Sequence, residues 1–268
     1  MSGGAGGSGR ESGSELAFSG ERIVPGETPE QIFREHETRY VFAAREVRGQ
    51  VVLDVACGTG LGTSLLERAG ARACYGADID RAAAAYAARR YPRCRFLTGD
   101  AARLGLRAAS FDRVVSFETL EHVPDAEAFM RECARVLKPG GVLIVSTPNR
   151  PVYRWLGKNP YHVREFDRGE FESLLSRHFG SWEILGQYDV DYPRFVARRA
   201  LMNLLAALGV KDALKRLLKP SWSMLSRSAE FEPGRVTPLF EPRPVRTSWR
   251  VRPVYWIAVA RAQTGGPT

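Results

Sequence analysis

Four side chains in this sequence could share one chemical task. Glu118, Glu121 and His122 read E-x-x-E-H within Phe117-Glu118-Thr-Leu-Glu121-His122-Val123, and a second histidine follows in Asn159-Pro-Tyr-His162-Val-Arg-Glu165. If the first segment turns helically, Glu118 shares a face with both Glu121 and His122. Two carboxylates that close repel each other unless a proton or a cation sits between them. Two oxygens and two ring nitrogens suit Mg2+ or Mn2+ with water or substrate completing the shell, and histidine also admits Zn2+ or Fe2+. Without a metal, Glu121, His122 or His162 could instead take a proton from a substrate. A third reading gives the same residues structural roles only.

A second constellation lies earlier in the chain. Val51-Val-Leu-Asp54-Val ends in Ala-Cys-Gly58-Thr-Gly60-Leu-Gly62. A glycine-rich turn after a strand lets the backbone approach a ligand, and the helix that follows offers free N–H groups. The dinucleotide fingerprint G-x-G-x-x-G is not met, because Thr63 stands where its third glycine belongs. Tyr75-Gly-Ala-Asp78-Ile79-Asp80 puts a carboxylate where a ribose diol would lie, and a carboxylate accepts both hydroxyl protons. Gly99-Asp100-Ala101 offers an acceptor for an adenine amino group. The alternative for Asp78 and Asp100 is helix N-capping.

These residues need a scaffold, and the alternation of apolar runs with helical patterns supplies one: a parallel sheet covered on both faces, an α/β fold. The runs predict strands at Val51–Val55, Cys74–Ala77, Arg95–Leu97, Arg113–Phe117, Val142–Ser146, Trp182–Gln187 and Val254–Ala260. Helices are predicted at Gly62–Ala69, Arg81–Tyr91 and Ala126–Leu137, the last stopped by Pro139-Gly140-Gly141. Residues 1–20, rich in Gly and Ser, read as a flexible tail and not as a signal peptide. Residues 21–48 form a helical cap, 49–191 with 251–263 the core, and 192–250 an insertion that could act as a substrate lid.

In this order, Gly58-Thr-Gly60, Asp78, Asp100, Phe111-Asp112-Arg113-Val-Val and Arg135-Val-Leu-Lys-Pro-Gly-Gly141 resemble the motifs of class I S-adenosylmethionine-dependent methyltransferases over about Val51–Pro148. The resemblance implies a Rossmann-like seven-stranded sheet of order 3-2-1-4-5-7-6 with strand 7 antiparallel. It implies S-adenosylmethionine as cofactor, with Gly58 and Gly60 near the methionine moiety, Asp78 on the ribose and Asp100 near the adenine. Asp54, Ile79, Ala101 and Phe117 would complete the cofactor lining. The E-x-x-E-H segment, Thr147-Pro148-Asn149 and a histidine with Glu at +3 resemble the ubiquinone-pathway O-methyltransferases and the small-RNA terminal 2′-O-methyltransferases. That likeness implies a divalent ion on Glu118, Glu121, His122 and His162 that polarises an acceptor oxygen. The chain departs from the RNA group in having Tyr161-His162 where that group has a histidine-rich run.

Ser19-Gly-Glu-Arg22-Ile-Val-Pro-Gly26 and Glu35-His36-Glu37-Thr38-Arg39-Tyr40 resemble bacterial methyltransferases that accompany glycosyltransferases in glycan and natural-product pathways. Arg39 or Tyr40 could then close over the cofactor carboxylate as part of a lid; the alternative is an ordinary packed helix.

The expected activity is methylation of a hydroxyl on a small molecule, a sugar first, then a polyketide or quinone. An RNA 2′-O-methyltransferase is the alternative: the net charge of +9 permits nucleic acid. No recognisable RNA-binding module supports it, which weighs against a nucleic-acid partner. Five of the 39 basic residues are lysine, so part of the charge reflects arginine enrichment. No apolar run approaches the ~20 residues that span a bilayer, and Cys57, Cys74, Cys94 and Cys133 form no CxxC pair. A cytoplasmic protein with buried, reduced thiols is expected. The stretch 194–219 has Leu201, Leu204, Leu205 and Leu208 on one face with arginines at its start, so packing, a lid or peripheral membrane contact are all open to it. Nothing in the sequence sets the oligomeric state.

Overall fold

A computed structural model describes residues 23, 28, 30–153, 159–188, 242–245 and 253–264. The expectations for the insertion fall almost wholly outside them.

Strand β1 (Val51–Val55), apolar at four of its five residues, lies inside the sheet, paired in parallel with β2 (Ala73–Asp78) and β4 (Phe111–Ser116). β3 (Arg95–Thr98) pairs with β2, and β5 (Leu137–Pro148) with β4, again in parallel. β6 (Ser181–Gln187) and β8 (Tyr255–Arg261) follow, with β8 antiparallel to both β5 and β6. The order is β3-β2-β1-β4-β5-β8-β6-β7. This is the expected seven-stranded arrangement plus a two-residue edge strand, β7 (Arg243–Pro244), from the insertion.

Alternating side chains fill both faces, as an internal parallel sheet requires. Leu53, Val55, Val114, Leu143 and Val145 meet α4 (Ala126–Val136) and α6 (Arg168–His178) through Phe129, Met130, Cys133, Phe171 and Leu175. Val52, Val115, Val142 and Ile144 meet α1 (Glu30–Ala44) and α2 (Leu61–Arg68) through Tyr40, Ala43 and Leu66. Fully burying one such Leu, Val or Phe contributes roughly 1.5–3 kcal/mol. α4 starts where Asp125 accepts the Ala128 N–H at 2.9 Å, and α6 where Asp167 and Glu170 form a reciprocal capping box.

One boundary differs from the sequence reading. Pro139-Gly140-Gly141 does end the helix early, at Val136, but it does not make a loop. Leu137 already pairs with Phe111, and the register shifts between Phe111 and Arg113, so the segment is a bulge inside β5 with Gly140 at φ 73°. All four cysteines are buried. No described helix is long and apolar enough to cross a membrane.

Candidate active site

The chain leaves β1 through Ala56 (φ 58°), Gly58 (φ 54°) and Gly60 (φ 78°), and the left-handed backbone at both glycines is what their missing Cβ permits. At Gly60 space matters as well: a Cβ there would lie 2.6 Å from Ala87 Cβ and 2.8 Å from the Phe96 ring. The turn brings the Gly58 N–H to Asp78 Oδ2 at 2.7 Å, while the Asp80 N–H donates to Oδ1 at 2.9 Å. The Asp78 carboxylate is thereby fixed at the end of β2, each oxygen keeping lone pairs for a further donor. Helix α3 (Arg81–Arg90) is capped by Asp80, which accepts from Ala82 N at 2.8 Å, and not by Asp78. Ile79 is 72% exposed beside it. Exposed Asp100 accepts the Ala102 N–H at 2.8 Å and shapes the turn after β3, next to half-buried Ala101. Gly58, Asp78, Ile79 and Asp100 therefore stand together at the carboxyl ends of β1, β2 and β3, where an open α/β sheet binds its ligands.

Two residues expected in the cofactor lining present no open surface here. Asp54 is fully buried and accepts from Tyr40 Oη at 3.0 and 3.3 Å and from Thr63 Oγ1 at 2.7 Å. Phe117, 3% exposed, packs edge-on against Tyr40 with ring centroids 5.0 Å apart. Tyr40 is not a lid over the loop: its ring fills the space where a Cβ on Gly62 would be, at 1.9 Å, so α1 is locked onto the start of α2.

Burial pushes the Asp54 carboxyl up to about 7, against the hydrogen bonds of Thr63 and Tyr40 that lower it. A raised value means that the folded state holds the proton more tightly than the unfolded chain does. That stabilisation is complete below the ordinary value of 3.8 and is lost as pH rises through about 7. Asp54→Asn should therefore flatten the decline of Tm between about pH 4 and 7 relative to the parent protein. Parallel Tm–pH curves for the two proteins would contradict the account.

Arg39, 2% exposed, is held rigidly. Its Nη1 donates to Gln187 Oε1 at 2.7 Å, Nη2 lies 3.1 Å from His36 Nδ1, and the guanidinium sits 4.5 Å from the Tyr255 ring centroid. Its Nε has no hydrogen-bond partner. Burial alone would lower the Arg39 pKa, but the charges of Glu118, Glu35 and Glu121 raise it. Burial and the Arg39 charge keep His36 well below the usual histidine range, so Arg39 faces a neutral ring.

The acid–histidine segment behaves differently from its sequence reading. No helix forms: Glu118 has φ 53°, a left-handed conformation that is costly for a side chain other than glycine, and one turn closes with His122 N donating to Thr119 O at 2.9 Å. Ser146 holds the unusual backbone, accepting the Glu118 N–H at 3.2 Å and donating to its Oε1 at 2.8 Å. Glu118 therefore stands outside the group that does assemble. Glu121, His122 and His162 bring one ligand atom each to within 4.8 Å of one another, as the one such group among the described residues.

Glu121 is fully buried. Its Oε2 accepts from Thr147 Oγ1 at 3.1 Å, and its Oε1 has no partner. Burial, then the Glu118 charge, push its carboxyl well above the usual range. An anion in that place needs a cation or a donor beside Oε1. The segment carrying His162 is clipped over this turn: Val163 N and Arg164 N reach Glu121 O at 2.8 and 3.2 Å, and His122 Nδ1 lies 3.0 Å from Tyr161 O. Rings continue from there, with Tyr153 stacked on His162 at 5.2 Å and Tyr255 at 6.3 Å from Tyr153. Tyr153, Tyr255, Ser146, Thr147, Asn159 and Gln187 went unremarked in the sequence reading as site residues. Only Thr147-Pro148-Asn149 and Asn159-Pro-Tyr-His162 carried a local signal.

A Rossmann-like sheet whose strand ends gather a glycine turn, two acidic residues and this cluster defines the class of protein, and comparison with known proteins narrows it. Residues 53–145 match the methyltransferase domain family. A probable S-adenosylmethionine-dependent methyltransferase of Mycolicibacterium smegmatis is 43% identical over 166 residues, which are 60% of this chain and 64% of that protein. A ubiquinone biosynthesis O-methyltransferase of Xanthomonas axonopodis is 34% identical over 144 residues, 47% of this chain and 60% of that one. The chain thus matches less than two thirds of the length of either relative. A crystal structure of a methyltransferase from Thermotoga maritima, described as a possible histamine N-methyltransferase, superposes with TM-score 0.56 at 19% identity, covering 87% of this chain and 94% of that one. The cyclase SpnF superposes at 0.52 with 22% identity, covering 88% and 83%, so the fold alone does not fix the reaction. The matched stretch, residues 53–145, is thus a methyltransferase domain on a Rossmann-like sheet, and the chain is similar there to S-adenosylmethionine-dependent methyltransferases.

Proposed function

We propose that the chain transfers a methyl group from S-adenosylmethionine to a hydroxyl oxygen of a small molecule, a sugar of a glycan or glycosylated natural product first, with a polyketide or quinone next. The observation that carries this reading is the cluster of Glu121, His122 and His162, in which the buried Glu121 carboxyl keeps one oxygen, Oε1, without a hydrogen-bond partner. The similarity to ubiquinone biosynthesis O-methyltransferases favours oxygen as the acceptor atom.

Bound S-adenosylmethionine supplies an electrophilic methyl group. Asp78 would hold its ribose, Gly58 and Gly60 allow backbone approach to its methionine moiety, and the free Nε of Arg39 is suited to its carboxylate. The protein must then hold the nucleophile in line and lower its affinity for its proton. One of Glu121, His122 and His162 would receive that proton.

The donor set also fits a divalent ion: one buried carboxylate oxygen and two imidazoles suit Mn2+, Fe2+ or Zn2+, whereas Mg2+ would need water or substrate oxygens to complete its shell. An ion held by these three residues would supply Lewis acidity toward the hydroxyl.

The reading is tested by incubating the protein and S-adenosylmethionine with glycosides, phenolic polyketides and quinol precursors, and locating the new methyl by mass spectrometry. Methyl on oxygen of one of these classes is the expected product. Transfer confined to amines, carbon or RNA would overturn it.

A further inference from the structure

The geometry points to Glu165 as a positioning residue, one that keeps a proton on His162 Nδ1 so that the Nε2 lone pair is presented to whatever enters the cluster. This rests on the reading of Glu121, His122 and His162 as the acceptor site.

Two separate bonds define the ring's protonation. Asn159 Oδ1 accepts the Tyr161 N–H at 3.0 Å, and this fixes which way the Asn159 amide faces. Its Nδ2, an NH2 group that can only donate, then lies 3.0 Å from His162 Nε2, so Nε2 is the acceptor. The proton of the neutral ring must therefore sit on Nδ1, and Glu165 Oε1 lies 3.0 Å from that atom. The His162 side chain is 6% exposed, stacked on Tyr153 and edge-on to His122 at 5.0 Å, so the ring is packed on two sides.

The two partners have different fates when a ligand arrives. A hydroxyl or a cation takes the Nε2 lone pair only by displacing the Asn159 amide, and Glu165 is then the remaining partner of the ring. Ligand histidines are commonly held in this way by an outer carboxylate. His178, which meets Glu127 at 2.7 Å, shows the contrasting case: its carboxylate is shared with Arg177 between α4 and α6.

The test removes Asn159 first. In Asn159→Ala, nitrogen-15 spectra of the histidine rings should still show His162 protonated on Nδ1. Adding Glu165→Ala should shift it to the Nε2-protonated form. Adding Glu165→Gln instead should restore Nδ1–H, because the glutamine Oε1 can still accept. The signals of the other histidines report whether the fold is retained. In the otherwise native chain, Glu165→Ala should weaken binding of Co2+, used as the probe ion, by roughly 10–100-fold. Glu165→Gln should stay near the parent value, and Glu127→Gln should not change it. His162 remaining Nδ1-protonated in the Asn159→Ala/Glu165→Ala protein would overturn the inference. If the parent binds no Co2+, the metal reading of the cluster falls, and the spectra still decide the role of Glu165.

Discussion

Alanine at Glu121, at His122 or at His162 is expected to reduce methyl transfer by about two to four orders of magnitude, the range a positioned acid–base group contributes. The three residues meet within 4.8 Å, so they act on one reacting atom and their losses will not add: a double variant should be little worse than the poorer single one. Affinity for S-adenosylmethionine should change little, because Asp78, Gly58 and Ile79 lie on other strand ends. Glu118→Ala should be milder on transfer, since its carboxylate is bonded to Ser146 and lies outside the trio. If a divalent ion is held there, excess chelator removes activity, and Mg2+ or Mn2+ restores it with cofactor affinity unchanged. Full activity in chelator with metal-free protein would exclude the ion and leave the histidines as proton acceptors. Additive losses among the three would break the claim that they form one site.

The largest effect on stability is expected at Gly62. A methyl group there would lie 1.9 Å from Tyr40 Cζ, and that ring cannot simply step aside, because its hydroxyl is bonded to Asp54 and its edge to Phe117. Overpacking costs roughly 1–3 kcal/mol, and losing a hydrogen bond to a carboxylate about 1.5–3 kcal/mol. Alanine returns up to about 1 kcal/mol of helix propensity in α2. The net loss is about 2–4 kcal/mol, or roughly 4–16 °C in Tm for a domain of this size. The cause is checked by a double-mutant cycle. On a Tyr40→Ala background, Gly62→Ala should cost almost nothing, giving a coupling of at least about 1 kcal/mol. Additive effects would mean that Tyr40 and Gly62 are not the contact that joins the cap to the glycine loop.

Much of the fold was legible because the periodicity of apolar residues is a local property. β1 falls on its expected residues, the other strands of the seven within a few positions, and the reversed strand takes its place between β5 and β6. The exceptions have physical causes. Pro139-Gly140-Gly141 reads as a stop, yet pairing of Leu137 with Phe111 absorbs it as a bulge. E-x-x-E-H reads as a helical face, yet Ser146, distant in sequence, holds Glu118 in a left-handed conformation that no local pattern announces. Glu121, His122 and His162 do lie together, while the helical turn on which the grouping of Glu118 with them depended does not form. Tyr40 and Asp54 could be named from the sequence, but not their bond to each other across 14 positions, nor the contact of Tyr40 with Gly62.

The claim on which the rest depends is that the carboxyl ends of β1, β2 and β3 bind S-adenosylmethionine, with Asp78 on its ribose. Titration calorimetry of the parent protein and of Asp78→Ala, with thermal unfolding checked on both, tests it directly. The parent should bind, and the variant should lose about 1.5–3 kcal/mol, the scale of hydrogen bonds to a charged group, or roughly 10–150-fold in Kd. No binding by the parent, or an unchanged affinity in a folded Asp78→Ala protein, would contradict it.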